Sequence, residues 1–327
     1  RVPRNRRLAS RRYHRRNDQL VAKEHDMGFL DASKIDAAKV VFDARFNAAL
    51  ANLAAGDSFV KLLASVFPMS GPTLQFNWLG FPGGVKQWIG NRQLERLRNF
   101  NYQLVSKDWE SSLQIDQNDL EDDNLGLYQP RIDMLAQAFI QHQEELFISL
   151  LTSGFATTSY GAGYDGVAFF SASHTDGEHS NQSNTATATL DDTSVLDTGI
   201  AAMMALQRDD NKPLGIKPSH LLVGPSNRAT ANALVKAERL ANGASNTNYN
   251  VVELHVSPYI TDGKWFLLDL SKPLKPLFYG ERKAIWTDAV VEGTGPFMNR
   301  QLLFGAAARY NAVYGLWQLA YGSNATT

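Results

Sequence analysis

The sequence predicts an α+β fold on three observations. One long amphipathic helix runs from about Pro130 to Ser153, a two-stranded extended excursion precedes it, and a compact unit of alternating helices and strands follows it. The two halves flanking the helix are unlike.

Residues 1–16, RVPRNRRLASRRYHRR, carry eight arginines and no acid. They have no helical or strand period and too few apolar residues to pack. Three readings stay open for Arg4, Arg6, Arg7, Arg11, Arg12, Arg15 and Arg16: a solvated tail, an arm that meets nucleic acid through planar guanidinium–phosphate pairing, or an arm that docks on a neighbouring copy's acidic surface near Asp116 to Asp123. The formal net charge of −1 therefore conceals a strongly basic start and an acidic remainder. The sequence begins at Arg1 without an initiator methionine, so either it starts late or an upstream segment is removed; no apolar signal-peptide core is visible.

From Asp31 to Val66, apolar residues return at helical spacing (Ile35, Ala38, Val41, Phe42, Phe46, Leu50, Leu53), with Gly56 and Asp57 as a break. This predicts a helix pair that must lie on something else. Pro68 to Asp119 differs in kind. It has turn residues at Ser70, Gly71 and Pro72, then Phe81-Pro82-Gly83-Gly84. Near its end Trp109, Ser111, Leu113 and Ile115 alternate with Glu110, Ser112, Gln114 and Asp116, the pattern of a half-buried strand. Two strands alone are barely stable in water, so the expected support is another copy of the chain.

The central helix carries Ile132, Leu135, Ala136, Phe139, Ile140, Leu146, Phe147, Leu150 and Leu151 at i, i+3, i+4, i+7 spacing. Pro130 suits its first turn, Glu121, Asp122 and Asp123 lie upstream, and Gly154 can take a left-handed C-terminal conformation. At about 1.5 Å per residue the helix spans ~35 Å, the width of a domain.

After it, residues 160–189 read as loop with short strands. Helices are expected at Thr193 to Arg208 and Ser226 to Ala241, and strands at His220 to Val223, Val251 to Val256, Trp265 to Leu270 and Ala284 to Val291. Leu302 to Tyr321 should return as apolar strands onto the central helix, with bends at Gly305 and Gly315.

Bulk composition narrows the function classes. Of 327 residues, 44% are apolar and 20% charged, which excludes disorder and collagen-like order and leaves room for two domains. The most apolar tail segment, Phe304 to Tyr321, is broken by Arg309, Asn311 and Gln318, so an integral membrane protein is not expected. Cysteine is absent, which removes disulfides, thiolate metal sites and a cysteine nucleophile, and fits a reducing compartment.

Candidate chemistry is weak throughout. Gly161, Gly163 and Gly166 spell the dinucleotide fingerprint, yet Val167 to Phe170 reads as a strand and not as a helix whose N-terminus could hold pyrophosphate. A glycine-rich turn is the plainer reading. His174, Asp176, Glu178 and His179 could ligate zinc or iron, but the polar loop SASHTDGEHSNQSN lacks helical H-E-x-x-H geometry and reads as solvated. Asp116 to Asp123 holds five carboxylates without the spacing of a calcium loop. No nucleophile elbow, phosphate loop or paired zinc motif occurs. The expectation is therefore no enzyme, no cofactor and no metal, with a metal- or nucleotide-dependent enzyme using the His174 loop or the Gly161 turn as the alternative.

Several motifs in order do resemble a family. Trp78-Leu79-Gly80-Phe81-Pro82, Trp88-Ile89-Gly90-Asn91-Arg92 and Leu120 to Pro130 (LEDDNLGLYQP) are similar to the Mu-like phage major head subunit, the gpT family. So are His142-Gln143-Glu144-Glu145-Leu146, Phe304 to Arg309 (FGAAAR) and Tyr314-Gly315-Leu316-Trp317. The resemblance spans about Ala44 to Gly322, with departures at Lys86, Asn91 and Gln143.

It implies an HK97-type capsid fold: N-terminal arm and helices over 1–70, extended loop over 71–119, peripheral domain with the spine helix over 120–189, axial domain over 190–280, and return strands over 281–327. It further implies a structural subunit of a tailed-phage virion, assembled in the bacterial cytoplasm as hexamers and pentamers of an icosahedral shell around double-stranded DNA. Scaffold, protease, portal and decoration proteins are the further partners it suggests, with no membrane. On that reading Trp88, Arg92, Trp109, Leu113, Glu121, Asp122 and Asp123 are the expected intersubunit contacts; the Arg-rich first 16 residues have no counterpart in the family, and their arginines meet DNA if the arm faces the lumen.

Overall fold

A computed structural model describes residues 32–56, 58–79, 101–116, 118–119, 124–174, 181–208, 211–240, 243–290 and 301–325. Helix α1 (Ala32–Gly56) leads to the short α2 (Ser58–Leu63) and to strands β1 (Ala64–Pro68) and β2 (Thr73–Phe76). Strands β3 (Tyr102–Val105) and β4 (Lys107–Asp116) precede the spine helix α3 (Gln129–Ser153). Then come β5 (Thr185–Ala186), α4 (Thr193–Met204), β6 (His220–Val223), α5 (Arg228–Val235), β7 (Glu253–Val256) and β8 (Trp265–Leu268). The long strands β9 (Leu277–Val290) and β10 (Gln301–Tyr314) and the short β11 (Ala320–Ser323) end the series.

Two sheets organise the chain. One has the order β1-β9-β10-β4, the other the order β5-β11-β8-β6-β7, and among the described residues β2 pairs with β3 alone. The spine lies on the first sheet, with Ile132, Leu135, Ala136, Phe139, Leu146, Phe147, Ile148, Leu150 and Leu151 buried. That face is nearly the one the helical spacing predicts; Ile148 joins it and Ile140 is only half-buried. The Tyr314 hydroxyl donates to the Leu150 carbonyl at 3.0 Å, which ties β10 to the helix. Helix α1 lies along the spine through Ala38, Phe42 and Phe46, one residue per turn, with Phe46 edge-on to Phe139 at 6.4 Å and Phe42 against Phe304 at 5.0 Å. Val41, expected on that face, points outward and is 45% exposed.

The second sheet is centred on β8, whose Trp265, Phe266, Leu267 and Leu268 are all buried. A strand covered on both faces reads as a continuous apolar run. Helix α4 approaches it closely at Gly199, where a Cβ would stand 2.9 Å from the Leu267 side chain.

Several expectations are corrected. The second N-terminal helix stops at Leu63, because Ala64 to Pro68 pairs in parallel with Leu277 to Glu281. Strand β4 takes its support from β10 of the same chain, from Asp116 opposite Gln301 to Lys107 opposite Tyr310, so this half of the excursion needs no neighbour to hold it. Helix α5 ends at Val235, not Ala241: the Asn246 side chain donates to the carbonyls of Leu234 (2.9 Å) and Ala237 (2.8 Å) and satisfies the helix end there. Gly154 is right-handed at φ −67°; its lack of a Cβ admits the Phe170 ring, which would lie 3.0 Å from one. Gly305 is no bend but sits within β10 opposite Ser112 and Asp288. Val167 to Phe170 forms no strand. The last strand, β11, leaves the spine and joins the second sheet between β5 and β8, so the end of the chain serves both layers.

Candidate assembly site

The described contacts proposed from the sequence lie on β4. Trp109, Ser111, Leu113 and Ile115 face inward and their alternates outward, as the pattern predicts. Trp109 is engaged within the chain. Its indole N–H donates to the Tyr310 carbonyl at 2.9 Å, and its ring meets that of His142 on the spine at 4.1 Å. Leu113 is half-buried against the same core. His142 Nδ1 lies 2.8 Å from the Tyr310 hydroxyl. Burial lowers the His142 pKa, opposed in part by Glu145, and burial raises that of the Tyr310 phenol.

Trp88, Arg92, Glu121, Asp122, Asp123 and the arginines from Arg4 to Arg16 lie outside the described residues. Of the acidic stretch, Asp116 accepts from the backbone N–H of Asn118 at 2.8 Å, and Asp119 accepts from the Tyr128 hydroxyl just before the spine.

The described residues of the two alternative chemical sites serve as scaffolding. Gly161 and Gly166 adopt φ of +83° and +85°, and Gly163 N–H donates to Val167 O at 2.7 Å: a glycine turn with no helix behind it. His174 belongs to no solvated loop. It is fully buried, stacked on Trp317 at 3.9 Å between ring centres, with Nδ1 2.5 Å from Asp165 and Nε2 3.1 Å from Asn184 Oδ1. Asn184 in turn donates to the carbonyls of Phe169, Trp317 and Ala320. Asp176, Glu178 and His179 lie outside the described residues.

The outward side of the spine layer keeps large apolar residues in solvent: Leu127 is 75% exposed, Met134 67% and Val40 66%. Among the described residues no helix is long and apolar enough to cross a membrane.

A long helix backed by a four-stranded sheet, beside a separate α/β layer, is the HK97-type capsid fold. The chain superposes on a subunit of the procapsid of bacteriophage JBD30 with a TM-score of 0.56 and 24% identity, covering 91% of this chain and 76% of the other. The family described as "Mu-like prophage major head subunit gpT" matches residues 35–198, 185–260 and 261–327, and the chain belongs to it. The Mu-like prophage FluMu major head subunit of Haemophilus influenzae is 28% identical over 82% of this chain and 67% of its own length. The major capsid protein of Escherichia phage Mu is 25% identical over 79% and 64%. The chain thus spans about two thirds of the length of these curated relatives. The family is one of structural head subunits, not of enzymes.

Proposed function

We propose that copies of this chain build the icosahedral head of a tailed phage, as pentamers and hexamers closed around double-stranded DNA. The observation that carries this is the family match, which runs from residue 35 to residue 327 with no intervening gap. The exposed Leu127, Met134 and Val40 supply apolar surface for neighbouring copies to cover. Weak contacts of this kind, repeated around a closed symmetric shell, give a strong whole.

On this reading Trp88, Arg92 and the Glu121 to Asp123 head of the spine meet neighbouring subunits. Trp109 and Leu113 add to such a contact only through the edges they leave half-exposed. The arginine arm faces the lumen and neutralises packaged phosphate without reading sequence. Assembly takes place in the host cytoplasm, with scaffold, protease, portal and decoration proteins as further partners. Negative-stain images of the expressed chain test the core of the proposal. Closed shells are the expected result; dispersed subunits, or rings that never close, would overturn it.

A further inference from the structure

We propose that His220, Glu253 and His255 form a binding site for a divalent transition metal of the zinc class at the edge of the second sheet. Strands β6 and β7 run parallel, with His220 opposite Glu253 and Leu222 opposite His255. Alternate residues of a strand share a face, so Glu253 and His255 project together and His220 joins them from the neighbouring strand.

The distances suit one ion. His220 Nε2 lies 3.5 Å from one oxygen of Glu253, His255 Nε2 lies 3.5 Å from the other, and one ligand atom of each residue lies within 4.8 Å of the other two. Bonds of about 2.0–2.1 Å at tetrahedral angles place neighbouring ligand atoms roughly 3.4 Å apart. Two imidazoles and one carboxylate are also the donor set of three-ligand zinc sites, whose fourth position stays open to water.

The surroundings prepare the ligands. Ser219 Oγ is 2.6 Å from His220 Nδ1, accepts from the Leu270 backbone N–H at 2.9 Å and reaches the Leu268 carbonyl at 3.2 Å. With its proton on Leu268, the hydroxyl accepts from Nδ1–H and leaves the Nε2 lone pair directed at Glu253, the arrangement that orients metal-binding histidines. Phe59 of α2 stacks on His255 at 3.7 Å and holds that ring. The two histidine side chains are 12% and 22% exposed and that of Glu253 63%, so the site has a packed floor and an open mouth.

The chain of residues 1–327, stripped with chelator, is titrated with Co²⁺ and then Zn²⁺. One equivalent of Co²⁺ with the intense visible bands of four-coordinate cobalt, displaced by Zn²⁺, is expected. Glu253→Gln, on an exposed side chain, and the pair His220→Gln and His255→Gln should lose that spectrum while keeping the far-ultraviolet circular dichroism. Ser219→Ala should weaken binding by about 10–100-fold. No cobalt spectrum on the parent chain overturns the site, and so does an unchanged spectrum on Glu253→Gln.

Discussion

His174 Nδ1 stands 2.5 Å from Asp165 Oδ2, and neither side chain has more than 1% of its surface in solvent. The pair closes the junction where the segment after the spine meets Trp317, which stacks on the same imidazole. Removing one partner strands the other in a low-dielectric interior, and such losses cost about 3–5 kcal/mol. His174→Ala should therefore lower subunit stability by that order in urea denaturation. The double variant with Asp165→Asn should cost clearly less than the sum of the singles, since they share one interaction. Additive losses would mean the two residues act apart.

Trp109 and Trp88 separate fold from assembly. Trp109→Ala removes the hydrogen bond to the Tyr310 carbonyl and the ring contact with His142, so it should cost about 2–3 kcal/mol in the isolated subunit, at the low side of large-to-small losses because the ring is only half-buried. Loss of shells in that variant would not by itself report an interface. Trp88→Ala carries that question: unchanged subunit stability with no closed particles is expected. Normal particles by electron microscopy would remove Trp88 from the contact list.

Alkaline pH should unfold the chain through its tyrosines. Burial raises the pKa of Tyr279, Tyr310 and Tyr314, with Tyr310 and Glu281 adding to it at Tyr279 and Tyr160 at Tyr314. Unfolded tyrosine ionises near pH 10. Below that pH both states hold the phenolic proton and the stability is fully present. Above it the unfolded chain releases protons that the folded chain retains, so stability falls as pH rises toward the raised folded values, by up to about 1.4 kcal/mol per pH unit for each such tyrosine. Tyrosinate absorbance should then appear in step with loss of tertiary circular dichroism. Early, non-cooperative ionisation of all tyrosines would contradict this.

What the sequence made legible is local. Pro130 and the spacing from Ile132 to Leu151 placed the spine, the alternation from Trp109 to Asp116 gave β4 its faces, and the apolar run His220 to Val223 marked β6. Partners far along the chain were not legible. Pairing of Lys107 to Asp116 with Gln301 to Tyr310 depends on residues about two hundred positions away, which no periodicity encodes. His174 sits in a polar stretch, and only Trp317 and Asp165 make it a core residue. The His220, Glu253 and His255 cluster left one trace, Glu and His two apart on a strand, and needed the parallel register to become a site.

Gly280 should tolerate no side chain. It pairs with Asn311 in the first sheet, and a Cβ there would lie 2.5 Å from Met69 Sδ and 2.6 Å from a Leu104 methyl. Both neighbours are buried, Leu104 completely, so neither can swing away cheaply. This gap is where the small β2-β3 sheet packs onto β9. Gly280→Ala should cost about 1–3 kcal/mol by overpacking. A denaturation midpoint equal to that of the parent would show that the layer moves freely.

The arginine arm predicts a salt-dependent, sequence-independent hold on DNA. Residues 1–16 carry eight arginines and no acid, and each guanidinium that meets a phosphate releases counterions. For duplex DNA the logarithm of the binding constant falls with the logarithm of salt by roughly 0.9 per phosphate neutralised, so an arm fully engaged would contribute a slope of roughly 7. Deleting residues 1–16 should flatten the salt dependence of DNA retention by an amount of that order. It should leave the subunit's melting transition in place, because the arm has too few apolar residues to contribute to a core. A solvated tail predicts no change in the DNA slope or in the stability of assembled shells. An arm docked on a neighbour's acidic surface predicts weaker shells with an unaltered DNA slope, so the DNA slope and the dissociation of assembled shells together separate the three readings.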